Sequence, residues 1–197
     1  MKTRRRWLAA LVAGAALTLA GCAKVGPKFF NVDITGADYA RDFALTDHTG
    51  KTRTLADFKG KAVVLFFGYT QCPDVCPTTL AELARVMQAL GPDADRVQVL
   101  FMTVDPERDT QALLAEYVPS FDKRFLGLYG DAAATDKVKR DFKVYAAKVA
   151  GKTPTTYTID HTAGSYVFDP SGKVRLFARY GQGPDPLLHD LKALLGA

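Results

Sequence analysis

The sequence has few of the residues from which cross-links and metal sites are made: three cysteines and three histidines in 197 residues. A structural zinc site wants four ligands, and beyond Cys22, Cys72 and Cys76 there is no further thiol to complete one. The C-x-x-C spacing of dedicated dithiol oxidoreductases is absent, and the single tryptophan, Trp7, is far from the cysteine pair. No internal repeat or low-complexity tract occurs, which excludes a repeat architecture. No stretch after residue 22 is apolar enough to span a membrane. An excess of one charge is missing as well: the formal +5 includes Lys2, Arg4, Arg5 and Arg6, and the other 22 basic residues face 21 acidic ones. That near balance gives no sign of nucleic-acid binding.

What is present begins with the leader. Four basic residues precede an apolar run from Trp7 to Ala20, a charged region followed by a hydrophobic one that is too short for a comfortable membrane span. The run ends in "LAGC", Leu19 to Cys22, which resembles the lipobox of bacterial lipoproteins, where the cysteine is lipidated after cleavage. The expectation is a signal peptide over 1–21, lipidation at Cys22, a membrane-proximal tether over 22–39 and one globular domain over 40–197. Cleavage would leave 176 of the 197 residues, a length that suits a single domain. The compartment expected is the periplasmic side of a bacterial membrane, the inner in preference to the outer. Ala23 after the lipobox cysteine leaves that preference without a retention signal.

Strands and helices alternate along the remainder. "AVVLFF", Ala62 to Phe67, and "VQVLFMTV", Val97 to Val104, read as buried central strands. Leu80, Leu83, Ala84, Met87 and Leu90 recur at helical spacing. "DFALTDHTGKTRTL" reads as two short strands around a turn, "SYVFD" and "KVRLFARY" as a hairpin around "DPSG", and Pro184 to Leu195 as a last amphipathic helix. This order implies an α/β sandwich whose sheet is parallel in its first half. Ligands in such folds gather at the carboxyl ends of the central strands, where "GYTQCPDVCPTTL" lies.

With Cys22 assigned to lipid, Cys72 and Cys76 are left as a pair. A structural disulfide between them would close too short a loop to remove much unfolded-state entropy. Their position at the start of a helix, with Pro77 suited to the first helical position, predicts lowered thiol pKa values, and the thiolate serves disulfide exchange and metal binding alike. Two soft thiolates suit Cu(I). A third ligand has to come from His48, His161 or His189. His48 sits in a turn and reads as solvent-exposed, and His189 on a helix reads as surface or half-buried. His161, in "TIDHTAGSYVF", reads as a loop histidine flanked by Asp160 and Thr162, which could orient its ring; both a mobile ligand and a hydrogen-bonded structural histidine fit.

"FFGYTQCPDVCPTTL", "TVDPERDT" and "DHTAGSYVFDPSGKV" together resemble the motifs of the Sco/SenC proteins, in that family's order and over roughly Asp42 to Leu195. The resemblance implies a thioredoxin-like three-layer sandwich with a central mixed sheet flanked by helices. It implies copper, as Cu(I) or Cu(II), bound by Cys72, Cys76 and His161, with the two cysteines also a redox-active pair able to form a disulfide. Asp105, of "VDPERD", matches a supporting position, although a turn or helix-capping role before Pro106 fits it equally. The function implied is delivery of copper to the Cu-A centre of cytochrome c oxidase subunit II. The partners expected with it are other periplasmic copper chaperones, a thiol reductant and a membrane reached through the lipid anchor, with no nucleic acid.

The alternative is a thiol-disulfide reductase that keeps the oxidase's copper-ligand cysteines reduced, with Cys72 attacking. A peroxidase reading, prompted by Thr70 near Cys72, fails on the spacing. The basic stretch Asp136 to Lys152 reads as a solvated face rather than a docking surface.

Overall fold

The computed structural model describes residues 27–153 and 156–196. The leader and Cys22 lie outside the described residues. In chain order the strands are β1 (Val32–Asp33), β2 (Leu45–Asp47), β3 (Thr52–Arg53), β4 (Ala62–Gly68), β5 (Val97–Thr103), β6 (Leu126–Tyr129), β7 (Ala146–Ala150), β8 (Tyr157–His161), β9 (Gly164–Phe168) and β10 (Val174–Arg179). The α-helices are α1 (Val75–Leu90), α2 (Gln111–Tyr117), α3 (Ala132–Asp141) and α4 (Pro184–Leu195).

Eight strands form one mixed sheet in the order β1-β10-β9-β4-β5-β6-β2-β3. The expected apolar runs are its centre. All seven residues of β4 are buried, and β5 pairs with it in parallel from Ala62 opposite Val97 to Gly68 opposite Thr103. A strand buried on both faces needs a layer on each side, and the core runs through Leu65, Phe66, Phe67, Leu100, Phe101 and Met102. β6 extends the parallel part, whereas β9 joins β4, and β10 joins β9, antiparallel. This is the α/β sandwich with a mixed sheet that the sequence implied.

Local chemistry sets the helix boundaries. Thr110 caps α2 by accepting from Leu113 N, and Asp131 caps α3 by accepting from Ala134 N at 2.7 Å. Gly91, at φ +57, ends α1, and Gly196 in the left-handed region ends α4. Leu80, Leu83, Met87 and Leu90 form the buried stripe of α1.

Within the segment read as a tether, β1 pairs with the β10 edge. Asp190 of α4, fully buried, accepts from the backbone N–H groups of Phe30 and Asn31 and from Asn31 Nδ2 at 2.8–2.9 Å. The basic stretch is largely neutralised in place: Lys139 pairs with Asp136, Lys137 with Asp141 and Lys148 with Glu107.

Two strands stand apart. Among the described residues β7 and β8 pair only with each other, antiparallel, with Ala146 opposite His161 and Ala150 opposite Tyr157. The expectation of a loop for His161 is thereby corrected: it is the last residue of a strand in which Tyr157, Ile159 and His161 face inward while Thr158 and Asp160 are exposed.

Candidate metal centre

The carboxyl ends of β4 and β5 lie side by side, so the segments leaving them, from Tyr69 and from Val104, share one end of the sheet. The first carries the cysteines. Helix α1 begins at Val75, not at Pro77; the proline is its third residue, where the missing N–H had no partner to lose. Cys76 is thus held inside the first turn with no exposure, while Cys72, in the loop, is half-buried. The Cys76 backbone N–H points at Cys72 Sγ, 3.4 Å away.

Gly68 makes the close approach possible. A Cβ there would stand 2.9 Å from Cys76 Sγ, 2.7 Å from a Phe101 ring carbon and 3.0 Å from Phe66. Only glycine lets the sulfur pack against the end of β4.

His161 arrives from the β7–β8 hairpin, 85 residues after Cys76, with Nε2 3.4 Å from Cys76 Sγ. Its Nδ1 is 3.1 Å from the carbonyl of Thr162. A carbonyl only accepts, so the proton belongs on Nδ1 and Nε2 is left with its lone pair facing the sulfurs. Orientation therefore comes from the Thr162 main chain; Asp160 is exposed, and the Thr162 hydroxyl accepts from Tyr145 N. The ring stands edge-on to Tyr69 and Phe66. The ligand atoms of Cys72, Cys76 and His161 all lie within 4.8 Å of one another, the one such group among the described residues. Cys72 and His161 border a surface groove of about 350 Å³ lined also by Tyr69, Pro73 and Asp160, with Cys76 buried behind them.

Electrostatics at the site differ from the helix-dipole expectation. Burial, more than any neighbour, pushes the Cys76 thiol well up, with Cys72 and Asp109 adding to the rise; desolvation of a fully enclosed sulfur outweighs the helix end. Burial likewise lowers the His161 pKa and keeps the ring neutral, the form that binds a metal. A metal-free site with a protonated Cys76 and a neutral His161 must release the thiol proton when a metal enters. Two sulfurs and one nitrogen, half sheltered, fit a thiophilic ion of low coordination number, and among the described residues no fourth ligand for a structural zinc joins them.

Several other residues acquire places that the sequence did not assign. Asp109, nearly fully buried, accepts from Thr70 N and from the hydroxyls of Thr70 and Thr103 at 2.6–3.0 Å. Desolvation raises its pKa against those bonds. Thr70 is thus committed to fixing the cysteine loop. Asp105 is buried, but its carboxylate is turned to Arg108 and to the Tyr157 hydroxyl, 2.8 Å away, rather than being one of the converging ligands. The Tyr69 hydroxyl accepts from Ile159 N at 3.1 Å.

The other two histidines stay away. His48 is half-buried rather than exposed: its Nδ1 accepts from Gly127 N at 3.0 Å, tying the turn to β6, and burial lowers its pKa. His189 stacks on Phe30 and bonds Asp190.

Comparison with known proteins bears on this site directly. The SCO1/SenC family model matches residues 32–196. The SCO2 homolog of Bos taurus, described as mitochondrial, is 44% identical over 141 residues, 71% of this chain and 52% of that protein, so the chain spans about half the length of this relative. A SCO2-like protein of Rickettsia felis is 33% identical over 163 residues, covering 82% and 77% of the two chains. The structure of Bradyrhizobium japonicum ScoI with copper bound shares 46% identity and superposes with a TM-score of 0.72, covering 78% of this chain and 98% of the other.

These matches correct one expectation. Relatives whose names give a compartment are mitochondrial, which overturns the lipid-anchored, periplasmic placement. That placement rested on the basic and apolar leader and the residues around Cys22, whose hydropathy does not itself name a compartment, and all of them lie outside the described residues. Among the described residues no helix is long and apolar enough to cross a membrane. With a family model matched from the first strand to the last helix and with that identity to named relatives, the chain belongs to the SCO1/SenC family.

Proposed function

We propose that this protein binds copper through Cys72, Cys76 and His161 and delivers it to the Cu-A centre in subunit II of cytochrome c oxidase. The observation that carries the reading is the convergence of the three ligand atoms within 4.8 Å at the edge of an open groove. Copper bound in a relative at 46% identity supports the choice of ion, as does the softness of the donor set. Two thiolates suffice for Cu(I), and the imidazole adds the nitrogen that Cu(II) prefers. Cys72, at the groove, is the sulfur a receiving thiolate reaches first, while Cys76 stays sheltered.

The test is anaerobic copper titration of the full chain beside Cys72→Ser and His161→Ala. Both variants should bind Cu(II) more weakly and lose or shift the thiolate charge-transfer band; parental affinity and band in either one sinks the three-ligand reading.

A second reading, thiol-disulfide reduction of the oxidase's copper-ligand cysteines, is favoured by the unequal exposure of the two thiols. The half-buried Cys72 is placed to attack and the buried Cys76 to resolve, giving up two electrons and two protons as their own disulfide forms. His161→Ala separates the two readings: a reductase keeps its rate, and a copper donor loses transfer.

A further inference from the structure

The hairpin that carries His161 makes no backbone ladder with the main sheet, so its seat depends on side chains. At Tyr157, the first residue of β8, the hairpin, the cysteine loop and the segment after β5 meet on Arg108. Nη1 donates to the carbonyl of Tyr157 at 2.9 Å and to Gln71 Oε1 at 3.1 Å, the latter one residue before Cys72. Nε donates to the buried carboxylate of Asp105. The guanidinium lies 3.6 Å from the Tyr157 ring centroid, and the Tyr157 hydroxyl donates to the other oxygen of Asp105. A planar fork that bonds three residues from separate parts of the site and stacks on the ring of one of them cannot be replaced by a lysine.

We propose that Asp105, Arg108 and Tyr157 form a clasp that seats the β7–β8 hairpin and thereby sets whether His161 reaches the two cysteines; the inference rests on the three-ligand reading above. Tyr157 and His161 are the two ends of one short strand, which extends about 3.3 Å per residue and moves as a unit. Midway along it, Ile159 N–H bonds Tyr69. Opening the clasp frees the far end of this lever and leaves the Ile159–Tyr69 bond and the His161–Cys76 contact to hold the strand to the body. Arg108 and Tyr157 are positioning residues: neither offers an atom to the metal. Because Arg108 also holds Gln71, the same side chain registers the cysteine loop against the hairpin.

The experiment compares the full chain with Tyr157→Phe, Arg108→Gln and His161→Ala. Tyr157→Phe removes one hydroxyl and keeps the Arg108–Asp105 pair, so it guards against misfolding of the Arg108 variant. Two signals are read: hydrogen exchange of the Ile159 and His161 amides without metal, and the paramagnetic resonance and thiolate band of the Cu(II) form. One lost hydrogen bond to a carboxylate should speed hairpin exchange by roughly tenfold or more and weaken Cu(II) by a similar factor, with the β4 amides unchanged and the copper spectrum moved toward that of His161→Ala. Parental hairpin exchange and a parental spectrum in both clasp variants overturn the proposal. So does a lowered melting temperature with an unchanged spectrum, which is what a merely structural role gives. A parental spectrum in His161→Ala instead overturns the three-ligand reading itself.

Discussion

Gly68→Ala is the sharpest test of how the site is built. The new methyl would meet Phe101 at 2.7 Å, Cys76 Sγ at 2.9 Å and Phe66 at 3.0 Å, where relaxed heavy-atom contacts sit near 3.5–4.0 Å. All three neighbours are fully buried and cannot swing aside. Overpacking of a filled core costs about 1–3 kcal/mol, and three simultaneous contacts argue for the upper end. At about 2–4 °C per kcal/mol for a chain of this size, the metal-free protein should melt roughly 6–12 °C lower.

The sulfur is the more telling neighbour. Ligand positions tolerate only about 0.2 Å, and a displaced Cys76 should weaken copper by roughly tenfold or more, as loss of a residue that holds a ligand in place does. The control is Gly172→Ala, in the β9–β10 turn at φ +83 with nothing within 4 Å of the added carbon. It should cost about 1–2 kcal/mol through the backbone alone and leave copper binding intact. Thermal melting and copper titration of both variants decide the matter. Gly68→Ala with parental copper affinity would refute the packing of Cys76 against the end of β4.

Two pH effects follow from other groups. Burial raises the pKa of Asp47, but hydrogen bonds from Thr49, Arg53 and Lys51 outweigh it and bring the value down to about 2. The resulting stability is present above the unfolded carboxyl pKa and is lost as pH falls toward 2. Asp47→Asn should therefore cost about 1–2 kcal/mol at pH 7 and almost nothing at pH 2; an equal deficit by urea unfolding at both values refutes the assignment. The raised Cys76 thiol stabilises the metal-free protein below the unfolded thiol pKa of about 8.5, and that contribution is lost as pH rises above it. Cys76→Ala should flatten the alkaline limb, and alkylation of the parent should modify Cys72 well before Cys76; equal rates at the two thiols would be incompatible with the burial described.

The centre of the fold was open to reading because its forces are local in sequence. β4 and β5 are unbroken apolar runs, and α1 carries its leucines at a regular period. The ligands were legible as a set only through the three motifs read together. β8 was missed although its signal was present: Tyr157, Ile159 and His161 alternate with Thr158 and Asp160, a two-residue period obscured by the polar character of the strand. β1, two residues long, has no periodicity to detect. The thiol expectation failed because a helix end is visible in sequence and the burial of Cys76 is not. Arg108 and Gln71 gave no sign at all, since their roles exist only where segments 37 residues apart meet.

The carboxylate of Asp109 holds the cysteine loop through Thr70, and burial raises its pKa, so the charge it brings to the site depends on pH. Two thiolates around Cu(I) carry one net negative charge, and around Cu(II) they carry none. In its ionised form Asp109 would repel the first arrangement and be indifferent to the second, favouring bound copper in its oxidised form and a lower reduction potential. The thiolate donors pull the other way through their softness. When ionised, the carboxylate that anchors Thr70 would thus also act on the oxidation state of copper held at this site.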